Sequence, residues 1–340
     1  MIQKDQLFDW LGDMTLPEPY YRTSFGGAYS GDARSLMKMM PSGSIDLILT
    51  SPPFALKRKK EYGNVDPEAY VEWFRPFADE FLRILKPRAS LVIDIGGSWN
   101  DGEPTKSLYQ YELLLDLVKR GFKLCQEFFW YNPARLPTPA EWVTVRRMRV
   151  KDAVDQVWWL SKSAFPRADN RKVLKEYSQS MLQLLVNGYK PGLRPSGHDI
   201  SAKFRRNQGG AIPPNLLTIG NTDSNSWYLK ACAAAGLRPH PARFPGQLPG
   251  FFIKFLTSPG SIVLDPFGGS NVTGEVAESL ERRWLCFELI EDYLKGSKFR
   301  FEKAARDLVR RKQRARQSRN RFAIVSATER TRTEPRRLLE

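Results

Sequence analysis

The sequence predicts an α/β protein built on a mostly parallel, doubly wound sheet. Three observations carry that prediction. Apolar runs of strand length recur along the chain, segments with helical apolar spacing separate them, and the runs break at prolines or glycines. A strand covered on both faces reads as a continuous apolar run, and parallel neighbours need a crossover helix between them. At 340 residues, with 41% hydrophobic and 12% aromatic content, the chain is globular and long enough for a large core.

The elements follow in order. The first twenty-odd residues carry a short amphipathic pattern and the proline break TLPEPYY, the signature of a peripheral arm. GDARSLMKMM reads as a loop and a helix, and LILTSPPFAL begins as the first buried strand. Proline cannot donate to a ladder, so this strand stops at Thr50 or Ser51. The Pro52-Pro53 pair then holds Ser51 in a rigid, extended loop just beyond the strand's carboxyl end. Open α/β sheets bind their ligands there.

From Pro67 to Leu85, the residues Tyr70, Phe74, Phe77, Phe81 and Leu85 recur at helical spacing, and Lys86-Pro87 ends the helix. ASLVIDIGG is a second buried strand. A helix over Ser107 to Arg120, closed by Gly121, leads into the strand KLCQEFFWYNP, a basic loop and the strand AVDQVWWLS. Between Lys162 and Pro239 the pattern weakens into proline, glycine and basic clusters with one helical piece near Val173 to Leu185. That segment is an insertion, either a recognition region or a structural lobe without a ligand. Order resumes with a helix over Gln247 to Leu256, the strand and loop SIVLDPFGG, a helix over Val272 to Leu280 and the strand RWLCFEL. A last helix from Glu291 to Lys312 runs into the basic tail RRKQRARQSRNR.

The charge balance, 53 Lys and Arg against 37 Asp and Glu, gives a net +16 and favours a polyanionic partner. Nine Trp and twelve Tyr favour nucleic acid over a merely solvated basic surface. Cys125, Cys232 and Cys286 are isolated, which excludes a disulfide framework and CxxC zinc sites. With only His198 and His240 in the chain, no metal is expected. The apolar runs are strand-sized and MIQKDQLFDW lacks a secretory pattern, so a cytoplasmic protein that does not enter membranes is expected.

A second motif carries chemistry. VLDPFGGSNVTGEVAESLERRWLCFEL is a strand, glycine turn, helix and strand, with Glu288 ending the second strand 23 positions after Asp265. Glycines let a backbone approach its ligand, and an acid at that distance can take two ribose hydroxyls. The spacing from Gly268 to Gly274 departs from GxGxxG, and a dinucleotide site opens its domain with such a turn, whereas this one lies near the end. Asp265 suits a cationic ligand better than a pyrophosphate. S-adenosylmethionine has a ribose, an α-amino group and a sulfonium, and is the cofactor expected.

Taken together, TSPPF and a later DPFGGSNVTG resemble the DNA amino-methyltransferases of permuted order, in which the catalytic motif precedes the cofactor motif. TSPPFALKRKKEYGN, RVKDAVDQVWW, RPSGHDI, GGAIPPNLL, HPARFP and FGGSN are similar to the PvuII-type cytosine-N4 methyltransferases of restriction-modification systems. The resemblance covers roughly Gly31 to Phe301. It implies a Rossmann-like methyltransferase sheet of seven strands, with residues 25–161 as the catalytic half, 162–239 as the target-recognition insertion and 240–302 as the cofactor half. Residues 1–24 and 303–340 flank them as arm and basic tail.

The resemblance also implies roles. Ser51 and the Pro52 carbonyl accept from the cytosine amino group, Pro53 stiffens the loop, and Phe54 stacks on the extruded base. Asp265, Phe267, Gly268, Gly269 and the adjacent Ser270 hold the methionine end, Phe244 and Pro245 line its pocket, and Glu288 takes the ribose. Asp32 either meets the adenine amino group or caps a helix. Trp130 either holds the flipped base or packs in the core. Lys57, Arg58, Lys59 and Lys60, or Arg146, Arg147, Arg149 and Lys151, track the phosphates. Arg194 and His198 read guanine or phosphate, or simply face solvent.

No cysteine sits in a Pro-Cys dipeptide, so attack through a covalent enzyme adduct is not expected. The partner is double-stranded DNA at a short palindromic site, met by a monomer acting on one strand at a time. The rival readings are an adenine-N6 methyltransferase, which more commonly has Asp in place of Ser51, an RNA or protein-glutamine methyltransferase, and a non-catalytic DNA-binding module.

Overall fold

The computed structural model describes residues 14–55, 64–187, 192–193, 195–197, 199–200, 207–222 and 226–302. The chain opens with β1 (Tyr21–Arg22), β2 (Gly26–Ser30), α1 (Ala33–Lys38) and β3 (Ile45–Thr50). Next come α2 (Tyr70–Ile84), β4 (Leu85–Ile95), α3 (Tyr109–Lys119), β5 (Lys123–Tyr131) and β6 (Val154–Ser161). The segment expected as an insertion holds α4 (Gln179–Asn187), β7 (Gly192–Leu193), β8 (Asp199–Ile200), β9 (Leu216–Thr218) and α5 (Trp227–Ala235). The last part contains α6 (Gln247–Leu256), β10 (Ile262–Asp265), α7 (Val272–Ser279), β11 (Arg283–Glu288) and α8 (Glu291–Ser297).

One sheet organises the chain, in the order β1-β2-β11-β10-β3-β4-β6-β5-β9. From β2 through β4 every pairing is parallel, β6 runs antiparallel to both of its neighbours, and β9 is parallel to β5. The sheet therefore has nine strands rather than seven. Seven of four to eleven residues form the expected body, and the short β1 and β9 extend its two edges. β9 comes from the segment expected as an insertion, which is therefore partly woven into the sheet.

The two faces of the sheet bury alternate residues, as the strand period requires. Ile48, Trp158 and Leu264 join Phe74, Phe77 and Phe81 of α2 on one face. Leu47, Leu49, Trp159 and Val263 join Phe252, Ile253 and Leu256 of α6 on the other. Lys86-Pro87, expected to follow a helix, lies inside β4. It is tolerated because the ladder with β3 skips from Ile45↔Leu85 to Leu47↔Ser90, leaving those residues in a bulge.

β2, with the sequence GGAYS, has no apolar run to announce it. Gly26 is required by contact: a Cβ there would stand 2.1 Å from the Trp284 carbonyl oxygen of β11. The helix expected near Val173 to Leu185 begins later, at Gln179, after a short 3-10 turn over Asn170–Val173. The final helix ends at Ser297 and continues as a 3-10 turn over Lys298–Arg300, and residues 303–312 of the range expected to be helical lie outside the described residues.

The chain passes from β10 through α7 to β11 on one side of the sheet, and from β3 through α2 to β4 on the other. The adjacent strands β3 and β10 thus mark the topological switch point, where a crevice opens at the carboxyl ends.

Candidate active site

A cavity of about 820 Å³ fills that crevice. Ser51, Pro52, Pro53 and Phe54 line it from the end of β3, and Asp265, Phe267, Gly268, Gly269 and Ser270 from the end of β10. Asp32, Trp130, Phe244 and Glu288 complete the predicted residues on its wall.

The Ser51-Pro52-Pro53-Phe54 loop is pinned from behind. The Tyr70 hydroxyl donates to the Pro53 carbonyl at 2.8 Å, and the Asn64 amide to the Phe54 carbonyl at 2.7 Å. Phe54 lies on the backbone after β4, where a Cβ at Gly96 would come within 2.5 Å of its ring. That glycine admits the aromatic ring beside Ser51.

Behind Ser51 stands a charged cluster that single motifs did not reveal. Asp94, near the end of β4, is close enough to the Ser51 side chain for a hydrogen bond between them to bear on its titration. Asp94 and Asp155 of β6 are 5% and 4% exposed, and Arg135 forks onto Asp155 at 2.8 and 2.5 Å. Such a bidentate pair, with its carboxylate buried and its guanidinium partly exposed, is strong and directional. Burial first, and then the Asp155 carboxylate, pushes Asp94 well above the usual carboxylate range, while the Ser51 hydrogen bond and Arg135 pull the other way. Asp94 Oδ1 is buried without a hydrogen-bond partner. The sequence signal was present: VIDIGG and AVDQVWW each set one acid in an apolar run, where carboxylates are rarely found unless paired.

The opposite turn is satisfied. Asp265 accepts from the Thr50 and Thr273 hydroxyls at 2.8 and 2.7 Å and from the Phe267 amide at 3.2 Å. Burial raises its carboxyl to about 6 despite these donors. The backbone then turns through Gly268, where a Cβ would meet Cys286 Sγ at 2.0 Å, and Gly269, in the left-handed region at φ +51° and against the His240 ring. Asn271, also left-handed, caps α7 by accepting from the Gly274 amide at 3.0 Å.

Glu288 ends β11 and accepts from the amides of Gly269 at 2.7 Å and Ile290 at 2.8 Å. Burial nevertheless raises its carboxyl. Ser270 has a second duty, since its carbonyl and hydroxyl accept from Arg300, which also pairs with Glu275.

Of the two roles considered for Asp32, the structure shows the helix cap. Asp32 caps α1 through the Arg34 amide at 2.8 Å, pairs with the Arg34 guanidinium and lines the cavity. Trp130 likewise packs in the core, donates to the Ile219 carbonyl at 2.8 Å and reaches the cavity wall. Pro245 is not on that wall; its carbonyl accepts from Leu248 and so starts α6.

The basic segments are placed unequally. Arg146 pairs with Glu141, Arg149 lies over Trp99 at 4.1 Å, and Lys151 donates to the Pro133 and Arg135 carbonyls. Lys57, Arg58, Lys59, Lys60, Arg194 and His198 lie outside the described residues. Among the described residues no cluster of three or more His, Cys, Asp or Glu could hold a metal, and no helix is long and apolar enough to cross a membrane.

Residues 45–299 match the N6/N4 methyltransferase family described as DNA methylase. The type II methyltransferase M.PvuII of Proteus hauseri is 49% identical over 288 residues, covering 84% of this chain and 86% of that one. The solved structure of PvuII DNA methyltransferase (cytosine-N4-specific) superposes with a TM-score of 0.69 at 43% identity, over 86% of this chain and 94% of that one. A DNA modification methylase of Thermus thermophilus, solved with S-adenosyl-L-methionine, gives a TM-score of 0.51 at 20% identity over 81% and 92% of the two chains, a likeness of fold alone.

Proposed function

The chain belongs to the N6/N4 DNA methylase family, and on that premise we propose that it methylates the exocyclic N4 of cytosine in duplex DNA, using S-adenosylmethionine. The single observation that carries this reading is the sharing of one cavity by the Ser51-Pro52-Pro53-Phe54 loop and the glycine turn with Glu288.

The cavity suits the cofactor. Its walls include Phe244, Phe267 and Phe287 for a flat purine and a thioether-like stem, with carboxylates at Glu288 and Asp265 for a diol and a cationic end. Glu288 would hold the ribose, and Phe267, Gly268 and Gly269 would let the methionine end approach the backbone. Bound there, S-adenosylmethionine supplies an electrophilic methyl group on a sulfonium.

The residues of the chain prepare the acceptor. The lone pair of a cytosine amino group is delocalised into the ring. Ser51 Oγ and the Pro52 carbonyl draw its hydrogens out of the ring plane, which makes the nitrogen more tetrahedral and aims its lone pair at the methyl group. Phe54 supports the ring face. A hydrogen bond from the Ser51 hydroxyl to Asp94 would keep the serine oxygen turned as an acceptor. A base stacked in a duplex cannot reach this cavity, so the cytosine must be extruded.

A palindromic site, a restriction-modification setting, a cytoplasmic monomer and phosphate contacts from Lys57 to Lys60 and Arg147 complete the proposal. Transfer of a labelled methyl group to duplex DNA, RNA and protein in parallel tests the substrate class. Digestion of methylated DNA to nucleosides then reads the base. N4-methylcytosine is expected, and N6-methyladenine as the only product would overturn the base assignment.

A further inference from the structure

Of the exposed apolar side chains on the loop joining β5 to β6, Leu136, Val145, Met148 and Val150, the first and last stand nearest in sequence to residues that line the cavity. Leu136 is 75% exposed and Val150 85%. Their two arms are bridged, because the Lys151 ammonium donates to the carbonyls of Arg135 at 3.0 Å and Pro133 at 3.4 Å. The neighbours of each line the cavity, Arg135 and Thr138 on one arm and Asp152 and Val154 on the other. Leu136 and Val150 are thus each carried by an arm whose nearby residues line the space that holds Ser51 and Phe54, and Lys151 ties the two arms together.

A lone exposed leucine needs no explanation. A bridged pair on a braced loop does. Arg149 lies over Trp99 and reaches Asp152 at 3.4 Å, while the amides of Arg146 and Met148 donate to the carbonyls of Glu141 and Trp142. Arg147 adopts φ +54°, a left-handed conformation uncommon outside glycine and often stored at functional loops. Between Arg135 and Lys151 the chain carries five cations against one carboxylate, so this rim faces a polyanion. Little ordering remains to oppose binding.

We propose that Leu136 and Val150 form a wedge that enters the duplex as the target base leaves it and covers the bases on either side of the gap. The inference rests on the base extrusion argued above. Apolar side chains inserted between base steps offset unstacking by shielding exposed ring faces. The wedge stabilises the extruded state while Ser51 and the Pro52 carbonyl receive the base in the cavity.

The test compares Leu136→Ser/Val150→Ser with the wild type on two duplexes, one with the target base paired and one with it mismatched. Both are built around whichever base the wild type methylates, so a wrong base assignment leaves the comparison intact. The wedge reading expects the single-turnover rate on the paired duplex to fall about tenfold or more, and to recover to within about threefold of wild type on the mismatch, where extrusion costs less. Leu136→Met/Val150→Leu should retain activity on both. Equal losses on the two duplexes, or no loss on either, would overturn the proposal.

Discussion

The two turns that face each other across the cavity are built on adjacent parallel strands, yet they treat their buried carboxylates in opposite ways. After β10, Asp265 has both oxygens engaged by Thr50, Thr273 and the Phe267 amide, and it ties β3 to the start of α7. Beside the turn after β3, Asp94 keeps one buried oxygen without a partner, faces a second carboxylate and neighbours Ser51, the residue proposed to meet the substrate. A satisfied carboxylate shapes a binding surface. An unsatisfied one is costly to maintain, and that cost is tolerated where a proton or a substrate group must be managed.

The sharpest way to break the comparison is Ser51→Ala. The turnover number should fall by about two to three orders of magnitude, the loss expected for one transition-state acceptor, while cofactor binding stays near normal. An unchanged kcat would remove Ser51 from the chemistry.

Arg135→Met probes the charged cluster itself. It leaves Asp155 buried and unpaired beside Asp94, so unfolding free energy should drop by about 3 kcal/mol, measured by urea denaturation. A neutral effect would mean that the Arg135–Asp155 pair contributes nothing to stability.

On the opposite wall, Glu288→Ala should weaken S-adenosylmethionine binding by about 1.5 to 3 kcal/mol, the value of charge-assisted hydrogen bonds, with calorimetry as the check. An unaltered dissociation constant would place the ribose elsewhere.

The smallest effect concerns pH. Burial raises Asp265 to about 6, above its ordinary value near 3.8. Its contribution to stability is therefore fully present below about pH 4 and is lost as pH rises through about 6. The melting temperature of the free protein should decline over that window, more than that of Asp265→Asn. Saturating S-adenosylmethionine should flatten the decline, because a cationic ligand favours the charged carboxylate. Identical slopes with and without cofactor would separate Asp265 from the methionine end.

The legibility of each part follows from how local its cause is. β3, β10, β11 and α6 announced themselves through apolar runs, periodicity and punctuating Pro or Gly, and α6 spans the predicted Gln247–Leu256. The residues of the two loops were legible for the same reason, since proline and glycine set the backbone where they stand. Asp94, Asp155 and Arg135 were missed as a group because each comes from a different segment, and only the antiparallel placement of β6 between β4 and β5 brings them together.

By itself, then, the sequence determined the alternation of strands and helices, the acceptor loop and the glycine turn, because those depend on neighbours within a few residues. Tertiary structure alone decided that GGAYS is a strand, since Gly26 is selected by the Trp284 carbonyl on a strand from the far end of the chain. It also decided that Leu216–Thr218 joins the sheet edge, and that Lys151 joins the arm of Leu136 to that of Val150. These are pairings between distant segments, whose free energy appears only when the intervening chain has closed, and no local pattern records it.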